Sequence, residues 1–164
     1  MGTLMKYSIR LIQESDNAHV ANVIRTVMRE FGAVGEGYSI VDPEVDDMFG
    51  NYADETSCYY VVESGGVISG GAGIAPLQGG VVTTCELRKM FFLPELRGLG
   101  LGRQLITKLM GEARTRGFTT CYLETLERME RANSLYQKIG FKLLEGPLGN
   151  TGHCSCELWY AMKL

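Results

Sequence analysis

Arg97-Gly98-Leu99-Gly100-Leu101-Gly102-Arg103 follows the apolar run Leu87 to Leu93 and opens a segment that carries Leu105, Ile106, Leu109, Met110 and Ala113 on one helical face. Glycines at alternate positions strip side chains from successive lengths of backbone, where a starting helix still has unpaired N–H groups. Such a turn either serves the chain alone or closes on an anion, because the helix dipole and the free amides favour negative charge. The pattern by itself leaves both readings open. Its surroundings are more informative. Arg116-Gly117 ends the helix and Thr119 to Thr125 reads as a buried strand, so strand, turn, helix and strand form a βαβ unit whose two strands are expected to be parallel neighbours.

Beyond that unit, a second helix is expected from about Met129 to Lys138, with Ala132, Leu135, Tyr136 and Ile139 near one face and Gly140 as its stop. Phe141 to Leu144 reads as a strand, Gly146 to Gly152 as a long turn, and Cys154 to Met162 as the closing strand. In that strand Cys154, Cys156, Leu158, Tyr160 and Met162 alternate with His153, Ser155, Glu157 and Trp159.

On the N-terminal side, Tyr7, Ile9 and Leu11 mark a first strand. Asp16 is placed to cap a helix whose apolar residues Val20, Val23, Ile24, Val27, Met28 and Phe31 recur at helical spacing. Gly32, Gly35 and Gly37 lead into a loop, and Asp42-Pro43 starts a short acidic helix to about Phe49. Glu36, Tyr38, Glu44, Asp46 and Asp47 there form either a solvated surface, the favoured reading, or a rim for a cationic substrate. Cys58 to Glu63, Val67 to Leu77 and Val81 to Leu93 make an antiparallel meander with turns at Ser64-Gly65-Gly66 and Gly79-Gly80. Gly70, Gly71 and Gly73 inside the middle strand signal a bulge or a close backbone approach.

The expected fold is therefore α/β of the α+β type: a mixed sheet of about seven strands, antiparallel in its first half, flanked by about four helices. Residues 1–164 read as a single domain, long enough to bury a core. A composition of 45% hydrophobic and 21% charged residues is that of a globular chain rather than a disordered one. A net charge of −3 with no basic block argues against nucleic acid as partner. No apolar run reaches the length of a membrane span, and Met1 to Arg10 lacks the apolar core of a secretory leader, so no membrane partner and a cytoplasmic location are expected. The odd, scattered cysteines Cys58, Cys85, Cys121, Cys154 and Cys156 read as reduced thiols. His153-Cys154-Ser155-Cys156 lacks a second ligand pair at zinc spacing, so no metal is expected.

Two stretches together resemble the GNAT superfamily, the GCN5-related N-acetyltransferases that use acetyl-CoA. Arg97-Gly98-Leu99-Gly100-Leu101-Gly102 is similar to the family signature Q/R-x-x-G-x-G/A, and Ala132-Asn133-Ser134-Leu135-Tyr136-Gln137-Lys138-Ile139-Gly140-Phe141 to its second signature A-x-x-L-Y-x-K-x-G-F. Position 129, where the family often has an asparagine, is Met129.

The resemblance implies an acetyl-CoA site. Backbone amides of Arg97, Gly98, Leu99, Gly100, Leu101, Gly102 and Arg103 would grip the pyrophosphate, with Arg97 and Arg103 adding charge. The strand before the turn and the parallel strand after it would splay, admitting the pantetheine arm between Leu87–Leu93 and Thr119–Thr125. Met90, Phe91, Phe92, Thr125 and Ala132 would line it, and an amide near Met90 would polarise the thioester carbonyl. Tyr136 would protonate the leaving thiolate. Glu86, expected on the same strand face as Met90, would act through a water as general base; it reads equally as a glutamate on a solvated strand face.

Direct transfer to a primary amine of a small molecule or peptide, with no cysteine nucleophile, is the activity so implied. A non-catalytic acyl-CoA-binding regulatory module is the alternative. The family often dimerises through its last strands, which makes a homodimer a further expectation. A nucleotide-binding glycine turn is disfavoured by the absence of a G-x-x-x-x-G-K-[ST] run.

Overall fold

The structure is a computed structural model that describes residues 6–164. The leader reading of Met1 to Arg10 rests partly on residues 1–5, which lie outside the described residues. Seven strands form one sheet in the order β1-β2-β3-β4-β5-β7-β6. They are β1 Tyr7–Leu11, β2 Cys58–Ser64, β3 Val67–Pro76, β4 Thr84–Phe92, β5 Thr120–Thr125, β6 Lys142–Leu143 and β7 Leu158–Lys163. Four α-helices flank it: α1 Asn17–Glu30, α2 Met48–Asn51, α3 Leu101–Thr115 and α4 Glu130–Ile139. β4 and β5 are parallel, joined through α3, and all other neighbours are antiparallel.

Side-chain alternation divides the core between the two sheet faces. Cys58, Tyr60, Val62, Cys85, Leu87, Cys121 and Leu123 pack with Leu105, Ile106 and Leu109 of α3 and with Tyr136 of α4. Tyr59 and Val61 pack with Val20, Ile24 and Met28 of α1 on the other face. Two of the β3 glycines, Gly71 and Gly73, owe their place to this second layer. A Cβ on Gly71 would lie 2.7 Å from Tyr59 Cε1, and one on Gly73 would lie 2.6 Å from Tyr59 Cδ2.

Several expectations need correction. Asp16 precedes α1 without capping it through its side chain; its carboxylate accepts from Arg10 at 2.7 and 3.0 Å and from the Gln13 amide at 2.8 Å. The acidic helix expected from Asp42-Pro43 is a 3₁₀ turn, Pro43–Asp46, followed by the single turn α2. β4 starts at Thr84 rather than Val81. β7 starts at Leu158, not Cys154, because residues 153–157 make turns: Cys156 N donates to His153 O, and Ser155 N to Gly37 O. The alternation of His153 with Cys154 therefore does not apply.

The consequential correction lies in β4. Gly71 pairs with Phe91 and Gly73 with Arg88, so Lys89 and Met90 together face the single residue Ala72. This is a β-bulge, and Lys89 takes the left-handed φ of 50°. One extra residue reverses the alternation. Glu86 therefore does not share a face with Met90: Met90 and Phe92 pack with the α3 layer, while Phe91 packs with the α1 layer.

Candidate active site

β4 and β5 pair only through Thr84–Thr120, Cys85–Cys121 and Glu86–Tyr122. Beyond Glu86 they diverge, and the edge of β4 from Leu87 to Phe92 that turns toward β5 has no strand partner. Open backbone in a protein interior must be satisfied by side chains, water or a ligand. A cleft of about 80 Å³, measured for the centres of water-sized spheres, occupies the divergence; Glu86, Met90, Phe91, Thr125, Met129 and Tyr136 are among its lining.

The glycine turn before α3 does not itself line this cleft. Gly98 and Gly100 both have φ of 78°, a conformation that side chains disfavour, and Gly100 is the N-cap of α3 with no side-chain cap. A Cβ on either would meet no atom within 4 Å, so the turn is bare. The first turn of α3, including Leu101, Gly102 and Arg103, has amides without intrahelical partners, as any helix start does, and no side chain caps them. Gly102 has a different role, since a Cβ there would lie 2.9 Å from Leu135 Cδ2 of α4 and 3.3 Å from Met90 Cε. Arg97 does not extend freely toward an anion. Its guanidinium holds both Glu30 oxygens, at 2.6 and 2.7 Å, and its Nε donates to Phe92 O at 3.0 Å. Leu99 is half exposed and Arg103 is exposed, while Ala132 packs on the α3 layer beside Leu135.

Tyr136 is buried between Phe141 and Tyr160, with ring centroids 6.0 and 6.2 Å away. Its hydroxyl faces Met90 Sδ at 4.0 Å, a weak acceptor, which leaves the O–H available to the cleft. Burial raises its pKa far above the ordinary tyrosine range, so the group keeps its proton.

On the opposite face of the sheet stands Glu86, 4% exposed. Arg88 Nε donates to its Oε2 at 2.6 Å, and among the described residues Oε1 accepts no hydrogen bond. Burial pushes this carboxyl above the usual carboxylate range, with Arg88 opposing the rise. The solvated-face alternative for Glu86 is thereby excluded.

Four residues around Glu86 were not expected at the site. Glu124 follows Tyr122 on the same face of β5 and accepts from the Tyr122 hydroxyl and from Thr151 Oγ1, each at 2.7 Å. Although burial opposes its charge, bonds from His153, Tyr122 and Thr151 hold its pKa low. His153 places Nε2 2.8 Å from Asp42 Oδ2 and Nδ1 3.5 Å from Glu124 Oε2. Against the pull of burial, those two carboxylates bring its pKa up to about 9. Lys89 Nζ is buried between Asp42 at 2.6 Å and Glu44 at 2.8 Å, while its carbonyl accepts from the Tyr59 hydroxyl at 2.8 Å. The left-handed Lys89 is thus held at both ends. Glu124 was detectable as a charge within an otherwise buried strand; His153 and Asp42 meet only through the folding of two long loops.

A family model described as "Acetyltransferase (GNAT) family" matches residues 22–141. The chain belongs to the GNAT family of acetyltransferases. It is thus an acetyltransferase whose acyl donor is acetyl-CoA. It is 42% identical over 92% of its length to an N-acetyltransferase of Escherichia coli (strain K12), YjgM, of which it covers 90%. In fold it resembles a GNAT acetyltransferase of Staphylococcus aureus Mu50, with a TM-score of 0.83, 17% identity and coverage of 96% of this chain and 99% of that one. It also resembles the PaiA N-acetyltransferase of Thermoplasma acidophilum, solved in complex with coenzyme A, with a TM-score of 0.77 at 15% identity and coverage of 98% and 100%. Among the described residues, no helix is long and apolar enough to cross a membrane.

Proposed function

We propose that residues 1–164 act as one N-acetyltransferase domain that moves the acetyl group of acetyl-CoA directly to a primary amine of a small molecule or peptide. The observation that carries this reading is the divergence of β4 from β5 with Glu86 and Tyr136 on its two sides. Bound acetyl-CoA supplies a thioester carbon open to attack by a neutral amine.

The chain's own groups do the rest. Amides of Gly98 to Arg103 hold the pyrophosphate at the start of α3, and the open edge of β4 at Met90, Phe91 and Phe92 pairs with the pantetheine amides. Thr125 and Met129 close the other wall; Met129 offers no side-chain hydrogen bond of the kind an asparagine would. A backbone amide at the bulge, near Met90, donates to the thioester oxygen as charge develops there. Glu86 takes the proton from the incoming amine, for which a carboxyl raised above the usual carboxylate range by burial is suited. Tyr136, kept protonated by burial, gives its proton to the departing sulfur.

Cysteine chemistry plays no part in this scheme. Cys58, Cys85 and Cys121 are buried. Cys156, on the cleft wall, has its thiol pushed up to about 12 by burial, so it is no thiolate at neutral pH.

Release of free thiol from acetyl-CoA and longer acyl-CoAs, measured across a panel of amines, tests the proposal. Amine-dependent release is expected. Binding of CoA without release for any amine would leave the regulatory module as the better description.

A further inference from the structure

The acceptor end of the cleft has an uneven charge. Glu86, Glu124 and His153 each bring one polar atom within 4.8 Å of the others. Around them, Lys89 is consumed by Asp42 and Glu44, and Arg88 by Glu86 together with Pro76 O. With His153 protonated at neutral pH, the carboxylates Asp42, Glu44, Glu86 and Glu124 outnumber the cations Arg88, Lys89 and His153 by one. Among the described residues these three cationic groups are all occupied by carboxylates, whereas Glu86 Oε1 has no hydrogen-bond partner. Met28, Tyr38, Phe91 and Met129 are among the remaining walls, and the cleft measures about 80 Å³.

We propose that Glu86 and Glu124 jointly receive the acceptor's ammonium group, and that this end of the cleft selects a compact amine with one positive charge and no carboxylate. His153 is the positioning residue: it steadies Glu124 and, through Asp42, ties the loop before α2 to the loop before β7. A second positive charge on the acceptor would find no free carboxylate, and a negative one would meet Glu124 with every cation already engaged. The inference rests on the acetyl-transfer reading of the same cleft.

Its test uses n-propylamine, β-alanine and 1,4-diaminobutane as matched probes. Their binding to the CoA-loaded protein is read by calorimetry, in parallel with thiol release. Propylamine is expected to bind about tenfold more tightly than either other probe, and Glu124→Gln to remove most of that preference. His153→Ala should raise the propylamine KM about tenfold with kcat within about threefold, and His153→Gln, which keeps a donor toward Asp42, should recover part of the loss. If Glu124→Gln no longer shows CoA-induced thermal stabilisation, Thr151→Ala, which removes one hydrogen bond to the same carboxylate, carries the measurement instead.

Equal binding of β-alanine and propylamine would overturn the inference, as would a preference unchanged by these variants. Charge-selective binding with no thiol release would instead sink the transfer reading and leave this site standing. Thiol release without charge selectivity would do the reverse.

Discussion

Arg97 and Glu30 meet end to end, with guanidinium nitrogens 2.6 and 2.7 Å from the two carboxylate oxygens, and so join α1 to the turn that leads into α3. An arginine expected to serve an anion is already serving a carboxylate. The pair is partly exposed, and a contact of this kind contributes only ~0–1 kcal/mol to stability. Its larger effect is competition. Glu30→Gln should free the guanidinium and tighten CoA binding by about threefold at low ionic strength, with the gain fading in high salt as screening sets in. Calorimetric titration at two salt concentrations checks this, and an unchanged affinity at low salt would show that Arg97 has no part in phosphate binding.

Tyr136→Phe keeps the ring between Phe141 and Tyr160 and removes only the hydroxyl that faces Met90. A lost general acid lowers kcat by ~10²-fold or more. CoA affinity should stay within about twofold, because the role proposed for the hydroxyl is proton transfer rather than binding. Steady-state kinetics with a CoA titration distinguishes the cases; wild-type turnover would remove the acid role.

Lys89→Met deletes the ammonium between Asp42 and Glu44 while retaining much of the side chain's length. Lys89 is buried, so the change takes the ammonium from two part-buried carboxylates, leaving Asp42 with His153, and should cost ~3–5 kcal/mol. Chemical denaturation reads the loss. Adding Asp42→Asn and Glu44→Gln to the same variant should restore part of it, and no restoration would mean that the left-handed backbone rather than the charge is what Lys89 supports.

His153 makes stability depend on pH in a stated direction. Its folded pKa, about 9, lies above the ordinary value of 6.5, so the stabilisation is complete below the unfolded value and is lost as pH rises through about 9. After allowance for partial solvent screening the loss is on the order of 1–2 kcal/mol. Melting temperatures measured from pH 6 to pH 10 should fall over that window in the wild type and fall less in His153→Gln. Parallel curves would assign the decline elsewhere.

Gly100→Ala tests the turn itself. At φ of 78° an alanine is strained although a Cβ there meets no neighbouring atom. The expected cost is ~1–2 kcal/mol, or about 2–8 °C in Tm for a chain of this size. Weaker CoA binding should accompany it. An unchanged Tm would show that the turn relaxes to a conformation any residue tolerates.

The order of strands and helices was legible in the chain because each signal is local. Apolar spacing marks α1, α3 and α4, the glycine pairs mark the hairpin turns, and the crossover rule makes β4 and β5 parallel. Even the turn before α3 could be read, since glycine is the residue that best suits the left-handed backbone found at Gly98 and Gly100. Tyr136 stood in a signature whose spacing places it one helix away from that turn.

The chemistry at the acceptor end was not legible, for reasons that are equally physical. One bulged residue, Lys89, reverses which side of β4 each later side chain faces, and no local pattern foretells it; the bulge persists because Tyr59, Asp42 and Glu44 hold that lysine from distant parts of the chain. His153 and Asp42 are far apart in sequence and meet at 2.8 Å only when two loops pack together. By itself the sequence determined the elements, their order and the glycine turn before α3, all of which depend on backbone propensity and spacing. Only the tertiary structure decided which charges are free and which are already paired, because pairing is a matter of distance between segments that the sequence keeps apart.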